Sequence, residues 1–243
     1  MSRWIIALAL AVLAGVTLTA CQSSQDKAKI IQAQAQASAP KPLVIPHPSK
    51  DVKVLDTTLL HDQNGDAVVV ELKNESKRTL VDVPILVEIR GRTGKAVYKN
   101  NTPGLDFALN HVPVLKPGET FDWVNDQVTE QGKRVKVTVG EPEAKAPSSL
   151  PQLEVSPPRS RSSTLGAQVT GTVTNESKLD QRKLVLFAVA KQGGRVVAAG
   201  RGLIKKSKVG GKPAPYVIFF IGDPGSAQVT IEAPPVAFDQ GAQ

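Results

Sequence analysis

A four-residue word, Asn74-Glu75-Ser76-Lys77, recurs unchanged as Asn175-Glu176-Ser177-Lys178, in the same place within the same succession of apolar runs. Each copy follows an alternating stretch, Val68 to Leu72 or Val169 to Val173, and each precedes a longer apolar one. Downstream, Gly94-Lys95-Ala96-Val97 lines up with Gly194-Arg195-Val196-Val197 at nearly the same spacing. A short word alone could arise by chance. Fixed within a shared strand order, it argues for the duplication of a β unit. The word itself reads as a loop, because Asn tolerates left-handed backbone and Ser bonds nearby amides.

Strands are legible on both sides of it. Val52, Val54 and Leu59-Leu60 suggest a first strand, and Asn64-Gly65 is a strong hairpin signal. Val68, Val70 and Leu72 alternate with Val69 and Glu71, while Ile85, Val87 and Ile89 share one face of Leu80 to Arg90. Pro84 demotes the front of that run to an edge or bulge. Ala96 to Tyr98 comes after the turn at Gly91 to Gly94. Pro117-Gly118 turns the chain into Phe121 and Trp123, and Val135, Val137 and Val139 close the set. About seven short strands with a turn every ten or so residues is the pattern of an antiparallel sandwich. In the second half the pattern restarts at Val169 and runs to Ile231. No stretch there or in the first half holds a sustained apolar helical period, so an all-β fold with almost no helix is expected.

The 243 residues leave room for two domains behind a leader and a linker. The boundaries read as 1–20, a leader; 21–50, a flexible tether; 51–141, a first β-sandwich; 142–158, a Pro-rich linker; 159–238, a second; and 239–243, a tail. In the tether, the Gln-Ala run from Gln32 to Ala37 has no apolar face to bury, and Pro40, Pro42, Pro46 and Pro48 stiffen the approach to the first strand. Five prolines between Glu141 and Pro158 mark the linker.

Net charge is +8, unevenly spread. Lys50 to Glu141 holds 13 Lys/Arg against 14 Asp/Glu, and Leu150 to Gln243 holds 12 against 6. The basic half would favour anionic headgroups or acidic polymers, with surface solubility as the plainer explanation. Lys205, Lys206 and Lys208, with Lys212 beyond, form the densest basic segment. Alternation would set Lys206 and Lys208 on one face with Ile204 and leave Lys205 opposite. They read either as contacts to an anionic surface or as lysines guarding an edge strand.

These residues carry two resemblances. Arg3, the apolar run Ile5 to Leu18, and Leu18-Thr19-Ala20-Cys21 resemble the signal peptide and lipobox of bacterial lipoproteins. The apolar run falls short of the ~20 residues a spanning helix needs. The resemblance implies cleavage before Cys21, lipidation of its thiol, and a cell-membrane anchor facing outside the cytoplasm; Gln22, where an inner-membrane retention aspartate would stand, leaves the outer membrane open as well if the host has one. Gly171-Thr172-Val173-Thr174-Asn175 is similar to the opening strand of FxLYD-type domains, small immunoglobulin-like sandwiches of bacterial envelopes. That family's naming motif would fall on Phe187-Ala188-Val189-Ala190-Lys191 before Gly194; Phe187 matches, Val189 is conservative, and Ala190 and Lys191 replace its Tyr and Asp. The first half offers Val87-Glu88-Ile89-Arg90-Gly91 before Gly94. The implied fold is two tandem immunoglobulin-like antiparallel sandwiches.

The search for chemistry points away from an enzyme. Cys21 is the only cysteine, and His47, His61 and His111 stand alone, without a second histidine at ligand spacing. Asp62-Gln63-Asn64-Gly65-Asp66 has oxygen ligands two apart, but its glycine comes too early for a calcium loop and Lys73 stands where the closing Glu belongs. Gly193-Gly194 and Gly210-Gly211 read as turns. Phe121 and Trp123 read as core, Asp122 and Asp126 as strand neighbours that need not converge. No catalytic, cofactor or metal set is expected, nor a nucleic-acid or small-molecule substrate. The expected role is a non-catalytic binding or scaffolding module that meets an envelope protein or an acidic wall polymer. A solute-binding transporter subunit and an unrecognised envelope enzyme remain alternatives.

Overall fold

A computed structural model describes residues 41–163 and 166–238, so the leader, Cys21, the tether before Lys41 and the tail 239–243 lie outside the described residues. The alternating runs become antiparallel strands. In the first half they are β1 (Val52–Asp62), β2 (Gly65–Asn74), β3 (Leu80–Arg90), β4 (Ala96–Lys99), β5 (His111–Leu115), β6 (Thr120–Val128) and β7 (Arg134–Val139). Then come β8 (Leu153–Val155), β9 (Arg159–Ser163), β10 (Gly166–Asn175), β11 (Gln181–Gln192), β12 (Arg195–Ser207), β13 (Ala214–Phe219), β14 (Ile221–Gly222) and β15 (Gln228–Glu232). One 3-10 turn, Phe107–Leu109, is the helical content of the described residues. The protein is all-β.

Four sheets stack face to face. The first layer pairs β4, β3 and β5, with β7 on β3; the second runs β1-β2-β6. The third runs β14-β12-β11-β15, and the fourth runs β13-β10-β8 with β9 also on β10. One core cluster joins the first two layers through Val68, Val70, Leu72, Ile85, Val87, Ile89 and Trp123, and it continues into Val185, Phe187, Val189 and Ala199 of the third. The second cluster lies between layers three and four, from Leu184, Leu186 and Ala188 to Val169, Val173, Tyr216 and Ile218. The third layer is thus apolar on both faces, which explains why Leu184 to Ala190 reads as an unbroken apolar run. The second layer behaves alike: Val69, on the opposite face from Val68 and Val70, is buried as they are. The described chain from Lys41 onward forms one compact unit.

The repeated word explains itself here. Asn74 is fully buried, and its Nδ2 donates to the carbonyls of Arg78 at 2.7 Å, Leu115 at 3.1 Å and Lys116 at 3.0 Å. Its Oδ1 accepts from the backbone and hydroxyl of Ser76, at 2.9 and 2.8 Å. Asn175 does the same with Leu179 at 2.8 Å, Ser207 at 3.0 Å and Ser177. Each asparagine closes its loop and ties it to a neighbouring strand, saturating carbonyls that burial would otherwise leave unpaired. Eight residues beyond each asparagine stands a left-handed residue, Asp82 at φ 52 and Lys183 at φ 53, the two non-glycine residues with positive φ among the described residues. The halves share a backbone plan.

They also differ. In the second half β12 runs the length of β11 with one bulge at Ala190/Lys191, whereas in the first half β4 and β5 flank an excursion, residues 100–110. Asn100 bridges that gap: its Oδ1 accepts from Val87 N at 2.6 Å, and its Nδ2 donates to Ile85 O at 2.9 Å and Leu109 O at 2.8 Å. The strand β5 gives no clear signal in the sequence because Pro113 interrupts its apolar run. Pro84 lies within β3, paired with His111, and its carbonyl accepts from Gly140; the strand's irregularity is the left-handed Asp82 instead. The Asn64-Gly65 hairpin forms one residue early, with Asp62 opposite Gly65.

Two segments that read as spacers carry structure. Ser49 donates to Val139 O at 2.8 Å and Pro48 bridges Gly140, so the stretch before Lys50 lies along β7. Within 142–158, Leu153–Val155 pairs with β10 and packs on the second core, and Ala144 bridges Val81. Proline blocks ladder bonds but leaves the residues between free to pair.

Candidate functional site

The basic segment ends β12. Gly200 to Ser207 pair with β11 on one side only, since β14 reaches no further than Ala199. Lys205, Lys206, Lys208 and Lys212 all lie exposed at the surface. The strand stops at Ser207, whose buried carbonyl takes the Asn175 bond, so Lys208 leaves the strand face that alternation gave it. Antiparallel register sets Arg182 directly opposite Lys206, with the left-handed Lys183 beside it. Both are exposed. Six cations therefore gather at this end of the third layer.

One carboxylate answers them. Asp180 pairs with Lys206 at 3.0 Å and accepts from Val209 N at 3.0 Å. That amide first, and Lys206 second, hold its carboxyl below the usual carboxylate range. Among the described residues no ion pair is formed by Arg182, Lys183, Lys205, Lys208 or Lys212. Their field is spent on solvent. Arg182 and Lys183 escape sequence reasoning because they lie more than 20 positions from the lysine run; the signal is there in the antiparallel register that a glycine hairpin at Gly193-Gly194 dictates.

An apolar ledge adjoins this end. A cleft of about 700 Å³ is lined by Asp180, Arg182, Lys183 and Val185 on one side and by Leu105 and Phe107 of the 100–110 excursion on the other. Phe107 is 46% exposed and stacks on the His111 ring at 3.9 Å. His111 is buried, with Nδ1 2.6 Å from Asn110 Oδ1 and Nε2 3.3 Å from Glu143 Oε2. Burial pushes its pKa down despite Glu143. Its ring braces Phe107.

The other candidate residues have structural employment. Trp123 is fully buried, its Nε1 donating to Ala108 O at 3.1 Å and His111 O at 3.2 Å. Phe121 meets Phe187 edge to face at 5.2 Å. Asp62 caps its own turn through Asn64 N at 2.7 Å and accepts from Gly222 N at 2.9 Å. His61 lies against Asp66 at 2.7 Å on the surface. Asp122 and Asp126 do take part in a common feature: they face the third layer and receive its cations. Lys191 Nζ lies 2.7 Å from Glu71 and 2.8 Å from Asp122, and Arg201 Nε lies 2.8 Å from Asp126. Burial raises the Asp122 pKa, with Lys191 opposing. This seam holds layers two and three in register.

A smaller cleft of about 300 Å³ opens at the edge of the seam, lined by Lys116, Glu119, Phe121, Leu153, Ile231 and Glu232 among others. Burial, reinforced by Glu119 and Asp122 and opposed by Lys116 and Lys191, raises the Glu232 carboxyl to about 7. Among the described residues, no three His, Cys, Asp or Glu side chains gather as a metal site. No protein-family model matches the chain, and no curated protein is similar to it.

Proposed function

We propose that this chain is a lipid-anchored envelope protein, held at the membrane through Cys21, whose tandem immunoglobulin-like sandwiches act as a non-catalytic binding module. The lipobox resemblance supports the anchor. The shared Asn74 and Asn175 hubs and the paired left-handed residues Asp82 and Lys183 support the tandem reading. The observation that carries the binding role is the basic end of the third layer, where register brings Arg182 and Lys183 to Lys205 and Lys206 against the single carboxylate of Asp180. An anionic surface, whether headgroups or an acidic wall polymer, complements it.

The test is cosedimentation with vesicles of pure phosphatidylcholine and of phosphatidylcholine mixed with phosphatidylglycerol, using protein carrying Cys21→Ser so that acylation adds nothing. Binding is expected only to the anionic vesicles, falling steeply with salt as the screening length shrinks to ~8 Å at 0.15 M. Replacing Lys205, Lys206, Lys208 and Lys212 by Gln should remove most of it and leave the melt nearly unchanged. Equal binding by this variant and its parent would return the lysines to the role of edge guards.

A further inference from the structure

The basic end of the third layer continues onto an apolar shelf. In the register of β11 with β12, Arg201 stands opposite Phe187 and Leu203 opposite Val185. Arg201, Leu203 and Lys205 therefore look the same way as Val185 and Phe187, toward the second layer. Cover by that layer stops at Arg201, whose Nε lies 2.8 Å from Asp126 of β6. Beyond it Leu203 is 55% exposed, and Lys205 is exposed as well.

The excursion brings a second apolar group to this face. Leu105 and Phe107 line the cleft whose other wall holds Lys183 and Val185. Val185 is the cross-strand neighbour of Leu203, and the Cβ atoms of such a pair lie about 5 Å apart. Phe107 is held outward in a fixed place, its ring stacked on His111 while nearly half its surface meets solvent. Lys183 and Lys205 border the shelf and form no ion pair among the described residues. The acidic side chains nearby are already engaged. Asp106 accepts from Ala108 N at 3.0 Å, Asp180 accepts from Val209 N and pairs with Lys206, and Glu143 lies 3.3 Å from His111. Exposed aromatic and aliphatic side chains set among unpaired lysines are the composition of a surface that enters a bilayer interface.

The chain also enters the fold at this end. Pro48 bridges Gly140, the Gly140 amide donates to Pro84 O, and Pro84 pairs with His111, on which Phe107 stacks. Three strand spacings, about 15 Å, thus separate Pro48 from His111. Lys41 stands 20 positions after Cys21. An anchor at Cys21 draws this end toward the bilayer, rather than the hairpin tip at Gly193 at the opposite end of β11.

We infer that Phe107 and Leu203 insert into the headgroup region of an anionic bilayer while Lys183 and Lys205 meet its phosphates, so that the anchored protein lies with this shelf against its own membrane. The inference rests on the membrane reading of the basic end and adds to it an apolar contact. A bilayer offers the two apolar side chains a place to be buried, and a soluble acidic polymer does not.

The chain from Gln22 onward tests this, because it lacks the leader and the thiol and keeps the compact unit from Lys41 onward whole. Phe107→Trp puts an indole on the shelf, and Trp123, the other tryptophan of that chain, is fully buried. With vesicles of phosphatidylcholine and phosphatidylglycerol, emission of the Phe107→Trp variant should move to the blue and be quenched by lipid brominated on its acyl chains. The parent, with Trp123 alone, should show neither effect. Phe107→Ser with Leu203→Ser leaves every charge in place and should weaken cosedimentation about fivefold, with binding to soluble polyglutamate unchanged. Lys183→Gln with Lys205→Gln should weaken both. An indole that stays unshifted and unquenched on vesicles that bind the protein overturns the inference and leaves the charge-based reading standing. So does a double serine variant that sediments like its parent, or one that loses polyglutamate binding equally. A parent that binds no anionic vesicle overturns both readings.

Discussion

Glu232→Gln isolates the strongest electrostatic stress at the seam between layers two and three. Glu232 ends β15, opposite Phe187, and burial together with Glu119 and Asp122 raises its carboxyl from 4.5 to about 7. A raised carboxyl means that the folded protein holds a proton that the unfolded chain has released. Stability from this group is complete below pH 4.5 and is lost as pH rises through 7. At about 1.4 kcal/mol per pH unit, the span from 4.5 to 7 sets a ceiling of about 3.5 kcal/mol. Solvent reaches part of this side chain, which brings the expected loss to about 2 kcal/mol. Glutamine keeps the shape and cannot ionise. Urea unfolding of both proteins at pH 4, 6, 7 and 8.5 measures the difference directly. The variant should match its parent within about 0.5 kcal/mol at pH 4 and exceed it by about 2 kcal/mol at pH 8.5, with the change accumulating between pH 4.5 and 7. Other titrating groups, including His111, whose lowered pKa acts in the opposite sense, cancel in the difference. A difference that stays constant across pH would refute the reasoning, because it would show that the carboxyl never resists ionisation in the fold.

Asn74→Ala and Asn175→Ala should each lower stability by about 1 to 3 kcal/mol in denaturant melts, since each leaves a buried carbonyl, Leu115 O or Ser207 O, without its asparagine donor; losses under 0.5 kcal/mol would reduce the repeated word to an ordinary loop. Lys191→Met should cost about 1 to 3 kcal/mol at pH 8 by leaving Glu71 and Asp122 facing one another, and less at low pH, as the Asp122 carboxyl, raised by burial, takes up its proton. Phe107→Ala should leave the melt within about 1 kcal/mol, because the ring is 46% exposed, while weakening adsorption to anionic vesicles if the ledge meets the surface together with the lysines.

The strands of the first half are legible wherever one face alternates, as in Ile85, Val87 and Ile89, and turns are legible where glycine takes positive φ, as at Gly94 and Gly118. The stacking of the layers is not. It depends on Lys191 meeting Glu71, 120 positions away, and on Arg201 meeting Asp126, 75 away, and a lone strand gives no sign of which distant charge will face it. A trace exists in Leu184 to Ala190 and in Ala67 to Val70, where apolar residues fill both parities and so announce cover on both faces. Of the basic end, the four lysines can be read from sequence, whereas Arg182 and Lys183 need the register of β11 with β12. The place of Tyr216 is hidden for a different reason. Gly171 looks like strand punctuation, and its purpose, room for the Tyr216 hydroxyl, shows only when β10 and β13 are paired.

Anchoring through Cys21 is the claim on which the proposed role most depends, and the intact mass of the protein extracted from the membranes of the native host tests it. The account predicts a mature chain that begins at Cys21 and carries a diacylglyceryl group on the thiol. That mass should be absent in Cys21→Ser, which should accumulate uncut or soluble. A membrane-bound chain that keeps Met1, or one cut elsewhere with a free Cys21 thiol, would contradict it.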